Sequence, residues 1–383
     1  MKKFLLFSLL LCSALTYAQD SSRYELINDM PVYLEKIKAR LNYPLAWGNS
    51  EITDYAEWRS TAREKVFDCM LTPPPVASNF DMKKISSQKG DGYTTWKIEF
   101  NISDFSRIPA YLCVPEGEGP FPAVVLLHDH GAHFSIGKEK MIRPFDVDSA
   151  VMTDADKWAK QCYDDQYFGN YLAENGYVVL AIDALFWGER GRKEGIRYDS
   201  QQAVASNFLQ VGMDWSGTIT YEDIYSVEFL ASLPFVDAER IGCNGFSMGA
   251  YRAWMLSAMS DKVKAGAAIC WLTTTAVQMQ LSNKRNKGGS DFSMQLPGIR
   301  NYLDYPHIAS IACPKPMLFF NGAKDKLFPV AAVEDAFKTM RQVWSSQGAD
   351  DKLITKVWDA PHFFNKAMQK EVLEFFNNNL RQE

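Results

Sequence analysis

Along the second half of the chain, short runs that are apolar at almost every position alternate with longer segments of helical periodicity. Ala123-Val124-Val125-Leu126-Leu127 and Tyr177-Val178-Val179-Leu180-Ala181-Ile182 are continuous apolar runs, the pattern of strands buried on both faces of a parallel sheet. Further strands are predicted at 239–244, 264–271, 316–320 and 353–358, and helices at 163–175, 221–233, 248–260, 330–345 and 364–380. Repeated βαβ units imply an α/β fold, a mainly parallel central sheet with helices on both faces. Upstream, 94–102 and 109–114 read as a β-pair. Residues 22–80 look helical and aromatic-rich, broken at Thr72-Pro73-Pro74-Pro75, because consecutive prolines cannot continue a helix.

This divides the chain into a helical N-terminal extension, 19–90, and a catalytic domain, 91–383. Two long excursions interrupt the alternation, at 184–220 and 272–306. The second, containing Asn286-Lys287-Gly288-Gly289-Ser290, reads as a cap or lid. The first residues form a separate unit. Met1-Lys2-Lys3 is positive, an apolar stretch follows, and Thr16-Tyr17-Ala18 ends it with small residues. That is the layout of a cleavable signal peptide spanning 1–18, so a periplasmic or secreted protein is expected, without a membrane span.

Composition changes little in this picture. The 383 residues are 47% hydrophobic with a formal net charge of −5, enough for a large core and unsuited to a polyanion, so nucleic acid is excluded as a partner. Oligomeric state is not legible. Cys113, Cys243 and Cys270 fall in strand-like runs and read as buried hydrophobes, and no cysteine pair has metal-site spacing.

The chemistry is carried by Gly245-Phe246-Ser247-Met248-Gly249, set between the 239–244 strand and the 248–260 helix. A G-x-S-x-G there reads as a nucleophile elbow, a tight turn that exposes a serine hydroxyl. Serine is a weak nucleophile, so Ser247 needs a base within reach and an acid to orient that base. Asp325 follows the 316–320 strand and His362 follows the 353–358 strand. Of five histidines (His128, His130, His133, His307, His362), only His362 follows the last strand. Asp325 also reads as an N-cap for the 330–345 helix, with Asp359 as reserve acid. The oxyanion hole needs two backbone N–H donors. Met248 offers one, and the loop His128-Asp129-His130-Gly131 the other, through His130, with the Asp129 and Gly131 amides left open. Three histidines and Asp129 so close together also invite a metal reading, but the spacing matches no zinc site, and neither metal nor cofactor is expected. Trp187 follows the 177–182 strand and is expected at the site mouth, against substrate or packed within its loop.

Residues from about 95 to 383 resemble the α/β-hydrolase superfamily, in the branch of acetylxylan esterases and dienelactone-hydrolase-like proteins. The resemblance rests on Leu127-His128-Asp129-His130-Gly131, Gly245 to Gly249, Asn321 to Pro329 and Pro361-His362. It implies a Ser247/Asp325/His362 triad and hydrolysis of carboxylic esters, in exported members often acetyl esters on plant polysaccharide. Asp129 departs from the pattern, standing where glycine is usual. The expectation is therefore an exported serine esterase acting on a small-molecule or polysaccharide ester. The alternatives are a peptidase of the prolyl-oligopeptidase kind and a catalytically silent carbohydrate-binding scaffold.

Overall fold

The computed structural model describes residues 25–27, 30–191, 198–280 and 291–381. The 1–18 leader and the centre of the 272–306 excursion lie outside these residues. A short hairpin pairs β1 (Leu26–Ile27) with β2 (Met30–Pro31). Nine strands then build one sheet: β3 (Lys83–Lys89), β4 (Tyr93–Ser103), β5 (Ser106–Pro115), β6 (Phe121–Leu127), β7 (Val178–Ile182), β8 (Val236–Phe246), β9 (Val263–Ile269), β10 (Met317–Gly322) and β11 (Leu353–Trp358). Their order is β11-β10-β9-β8-β6-β7-β5-β4-β3. β6 to β11 pair parallel and β3 to β5 antiparallel.

Alternation along the strands sorts side chains to the two faces. In β10, Met317 and Phe319 join one apolar cluster while Leu318 and Phe320 join another. The first cluster receives helix Val330–Ser346, whose buried residues Val333, Phe337, Met340 and Trp344 recur at three- and four-residue spacing, the apolar stripe of an amphipathic helix. The second receives helix Lys366–Leu380. Helix Met248–Met259 is buried at every position, which explains why it shows no polar face in sequence.

Departures from the sequence reading have local causes. β3, Lys-Lys-Ile-Ser-Ser-Gln-Lys in sequence, pairs with β4 from within the expected extension. It is an exposed polar edge strand without an apolar signal. The helix expected at 221–233 begins earlier, at Trp215, where the Asp214 carboxylate caps the Gly217 N–H at 2.6 Å. Helix Tyr55–Met70 buries Trp58, Ala62, Val66 and Cys69 in the same cluster as the helix that follows Ser247. The extension is thus continuous with the main core on this face.

The parallel strands β6, β8, β9, β10 and β11 end on one rim, where α/β sheets bind ligands. The elbow glycines are fixed by close approach. A Cβ on Gly245 would lie 2.1 Å from the Gly249 carbonyl oxygen, and one on Gly249 would lie 1.8 Å from that of Leu127. Both neighbours are backbone and cannot swing aside. Gly249→Ala is therefore expected to force the helix off the end of β6 and cost at least about 1–3 kcal/mol. The check is the thermal or urea midpoint; an unchanged midpoint would refute the contact.

Candidate active site

β8 delivers Ser247 at φ 55° and ψ −123°, as the N-cap of helix Met248–Met259. This left-handed backbone is strained for a residue with a Cβ and must be held by its surroundings. The Ser247 N–H donates to the Ile269 carbonyl at 2.8 Å, tying the elbow to the end of β9. Ser247 is half-buried, and its hydroxyl engages no hydrogen-bond partner among the described residues. The Met248 amide opens the helix, where a backbone N–H has no partner within the helix.

Asp325 and His362 sit on adjacent loops beyond β10 and β11, which are bonded to one another. The Ala323 N–H donates to Trp358 O at 2.7 Å and the Lys324 N–H to Ala360 O at 3.0 Å. Gly322 permits this, since a Cβ there would meet Ala360 O at 2.3 Å. Asp325 Oδ1 accepts from the Leu327 N–H at 2.8 Å and the Phe328 N–H at 3.3 Å. Its Oδ2 lies 2.7 Å from His362 Nδ1. The carboxylate is fully buried and the imidazole 22% exposed. The helix that follows is capped at Pro329, so Asp325 is not its N-cap. Asp359 points outward, 83% exposed and paired with Lys324. With Nδ1–H directed at Asp325, Nε2 is the basic nitrogen. The ring packs on Phe246, the residue before Ser247, with centroids 4.7 Å apart. Asp325 and His362 are thus bonded to each other, and Phe246 links the His362 ring to the strand end that carries Ser247.

Cys270, expected inside a strand, is instead the first residue beyond β9, at φ 60°. Its sulfur and single ligand atoms of Asp325 and His362 lie within 4.8 Å of one another. The trio suits a cation poorly. Burial pushes the thiol up to about 12, a metal takes the thiolate, and the carboxylate and imidazole already engage each other.

In the loop after β6, His128, Asp129 and His130 are all buried. His128 Nδ1 donates to Asp129 O at 2.8 Å while Nε2 accepts the Ala184 N–H at 3.0 Å. His130 Nδ1 accepts the Ala132 N–H at 3.0 Å, leaving Nε2–H for Gln201 Oε1 at 3.1 Å. Both nitrogens of each ring are used, so neither ring offers a lone pair to a metal. Asp129, in the glycine position, accepts at Oδ2 from Tyr163 at 2.5 Å and Trp158 at 3.1 Å. Trp187 is not at the mouth. It is fully buried, stacks near Phe134 and Trp215, and donates its indole N–H to His130 O at 3.1 Å. The loop's hydrogen-bonding demand draws this ring beneath it.

Burial lowers His128 well below its ordinary value, aided by Arg252 and Lys140, and lowers His130 and His307 to about 4. Unfolded histidines bind protons below about 6.5 while His130 and His307 wait until about 4, so each subtracts stability as pH falls through that window. The imidazole resonances of His130 and His307 should therefore stay neutral through pH 5 and titrate near 4. NMR midpoints near the ordinary 6.5 would contradict the burial.

Sequence reasoning passed over Lys138, Lys140 and Gln201 and took Asp183 only as the start of a stretch lining the site mouth; all four are fully buried around this loop. Lys138 Nζ reaches Glu139 at 2.7 Å, Asp183 at 2.9 Å and Glu189 at 2.9 Å. Burial alone would discharge this lysine; the surrounding carboxylates, Asp183 foremost, outweigh it and raise it well above its ordinary value. A charge run normally signals solvent, so no pattern marked these residues as interior.

The profile of the Abhydrolase family matches residues 11–343. The chain belongs to that family. Bacillus subtilis YtaP, described as a hydrolase, is 27% identical over 276 residues, 72% of this chain and 84% of its own. Among solved structures, a Bacteroides fragilis protein described as an acetyl xylan esterase superposes with TM-score 0.68 at 16% identity, over 85% of this chain and 81% of its own. A glucuronoyl esterase from Solibacter usitatus gives TM-score 0.60 at 13% identity, over 89% of this chain and 99% of its own. These likenesses establish the α/β-hydrolase fold for this Abhydrolase-family chain. Among the described residues, no helix is long and apolar enough to cross a membrane.

Proposed function

We propose that this Abhydrolase-family protein is an exported serine carboxylic ester hydrolase. Its proposed reaction is removal of small acyl groups from plant polysaccharide or oligosaccharide, in the manner of an acetylxylan esterase. The observation that carries the reading is the buried Asp325 carboxylate bonded to His362 Nδ1 at 2.7 Å, with that ring packed on Phe246, the residue before the strained Ser247.

In this reaction His362 Nε2 takes the Ser247 proton as the hydroxyl oxygen attacks the ester carbonyl. Asp325 holds the ring and stabilises the imidazolium. The Met248 amide and an amide of the 129–131 loop receive the oxyanion, each donor contributing roughly 3 kcal/mol. The imidazolium then protonates the departing sugar oxygen, leaving an acyl-enzyme on Ser247. Water, deprotonated by the same nitrogen, releases the acid and restores the serine.

The carbohydrate reading draws on the acetyl xylan and glucuronoyl esterases among the structural neighbours, and the location on the leader-like first residues. A panel of acetylated xylan, acetylated pectin and a methyl glucuronate ester tests it. Acetate release exceeding methanol release is the expected result. Methanol release alone would move the reading to uronate esters. Faster turnover of a Gly-Pro amide than of any ester would replace it with a peptidase.

A further inference from the structure

We propose that Lys140 is a positioning residue for the oxyanion-binding loop, its buried ammonium gripping two consecutive carbonyls so that the amides behind them face the serine. This inference rests on the serine-hydrolase reading above and concerns how that site is held ready.

Lys140 ends the short turn Lys138–Lys140, and none of its surface is exposed. Its Nζ donates to Asp129 O at 2.9 Å and His130 O at 3.1 Å, and lies 3.4 Å from Asp129 Oδ1. All three contacts fall on one loop. A peptide unit is planar and trans, so its C=O and the next residue's N–H point in opposite directions. Fixing the Asp129 carbonyl therefore fixes the His130 N–H, and fixing the His130 carbonyl fixes the Gly131 N–H. Each carbonyl has further donors: His128 Nδ1 at 2.8 Å on Asp129 O, and Trp187 Nε1 at 3.1 Å and the His133 N–H at 3.3 Å on His130 O. The backbone beyond runs through two successive left-handed residues, Gly131 at φ 59°, which glycine adopts freely, and Ala132 at φ 52°, which persists only where its surroundings impose it.

The gripped loop adjoins the nucleophile. Gly249, two residues past Ser247, packs so closely on the end of β6 that a Cβ there would fall 3.1 Å from the His128 carbonyl carbon. A buried ammonium is costly to desolvate, and here Asp129 offsets only part of that cost. An apolar side chain would fill the space more cheaply. What the ammonium adds is polarisation: charge on a carbonyl oxygen strengthens the N–H of the same peptide as a donor. The Asp129 carboxylate, in place of the usual glycine, balances that charge.

The test uses the full chain with p-nitrophenyl acetate as substrate and a phenylboronic acid as a mimic of the tetrahedral adduct. Lys140→Met removes the grip but leaves the Asp129 charge unbalanced. The double variant Lys140→Met/Asp129→Asn removes the grip with charge conserved, so a folding defect in the single variant does not end the experiment. Losing a whole oxyanion donor lowers kcat by roughly 10²–10³, so a misaimed one should lower it by about 10- to 100-fold. KM should stay within about twofold, and boronate affinity should fall in step with kcat/KM. Circular dichroism of the double variant should match the parent.

A folded double variant with parental kcat and boronate affinity overturns the positioning role. So does a loss confined to KM. Ser247→Ala, assayed alongside, separates the two claims. If it retains parental turnover, the serine-hydrolase reading falls; if it is inactive while the Lys140 variants are unimpaired, only the positioning role falls.

Discussion

Ser247→Ala is expected to lower kcat for p-nitrophenyl acetate by on the order of 10⁶, with thermal midpoint and circular dichroism unchanged. The magnitude follows from what the substitution removes. Without the hydroxyl there is no acyl-enzyme, and His362 has no proton to take, so only binding and the oxyanion donors remain. The side chain is half-buried and its hydroxyl bonds to nothing among the described residues, so its loss should not perturb the fold. Alanine also leaves the strained φ of 55° in place. Retention of more than about a tenth of the activity would mean that another group attacks the ester.

Asp325→Asn should lower kcat by about 10⁴ through the wrong tautomer of His362. Asp325 Oδ1 accepts two backbone N–H groups, from Leu327 and Phe328, and Oδ2 faces His362 Nδ1. An asparagine keeps its oxygen toward the two amides and so turns its NH₂ toward the ring. Nδ1 must then accept, the proton moves to Nε2, and the nitrogen proposed to take the serine proton is no longer a base. Substrate binding is untouched, so the loss should appear in kcat with KM nearly constant. A decrease below about tenfold would remove Asp325 from the orienting role, with exposed Asp359 a poor replacement.

The fold was legible because strands buried on both faces announce themselves as continuous apolar runs, and β6 and β7 did so. The elbow was legible because close backbone approach leaves glycine as the residue that fits at 245 and 249. Order along the chain singled out Asp325 and His362, since each follows a strand that ends on the same rim. What stayed hidden was set by tertiary neighbours. β3 has an edge strand's polar composition, and Trp187 read equally as a substrate contact or as loop packing until the His130 carbonyl was seen to take its N–H. Lys138 and Lys140 drew no notice, because two of the three carboxylates around Lys138, Asp183 and Glu189, lie far away in sequence. Asp129, read as a departure from a glycine pattern, becomes intelligible only beside Lys140, Tyr163 and Trp158.

The most direct measurement is intact-mass and peptide-level mass spectrometry after treatment with a p-nitrophenyl alkylphosphonate. One equivalent of p-nitrophenolate should be released as activity disappears, with a single phosphonyl adduct on the peptide carrying Ser247. An adduct on any other residue, or full ester hydrolysis by protein already labelled at Ser247, would contradict the account.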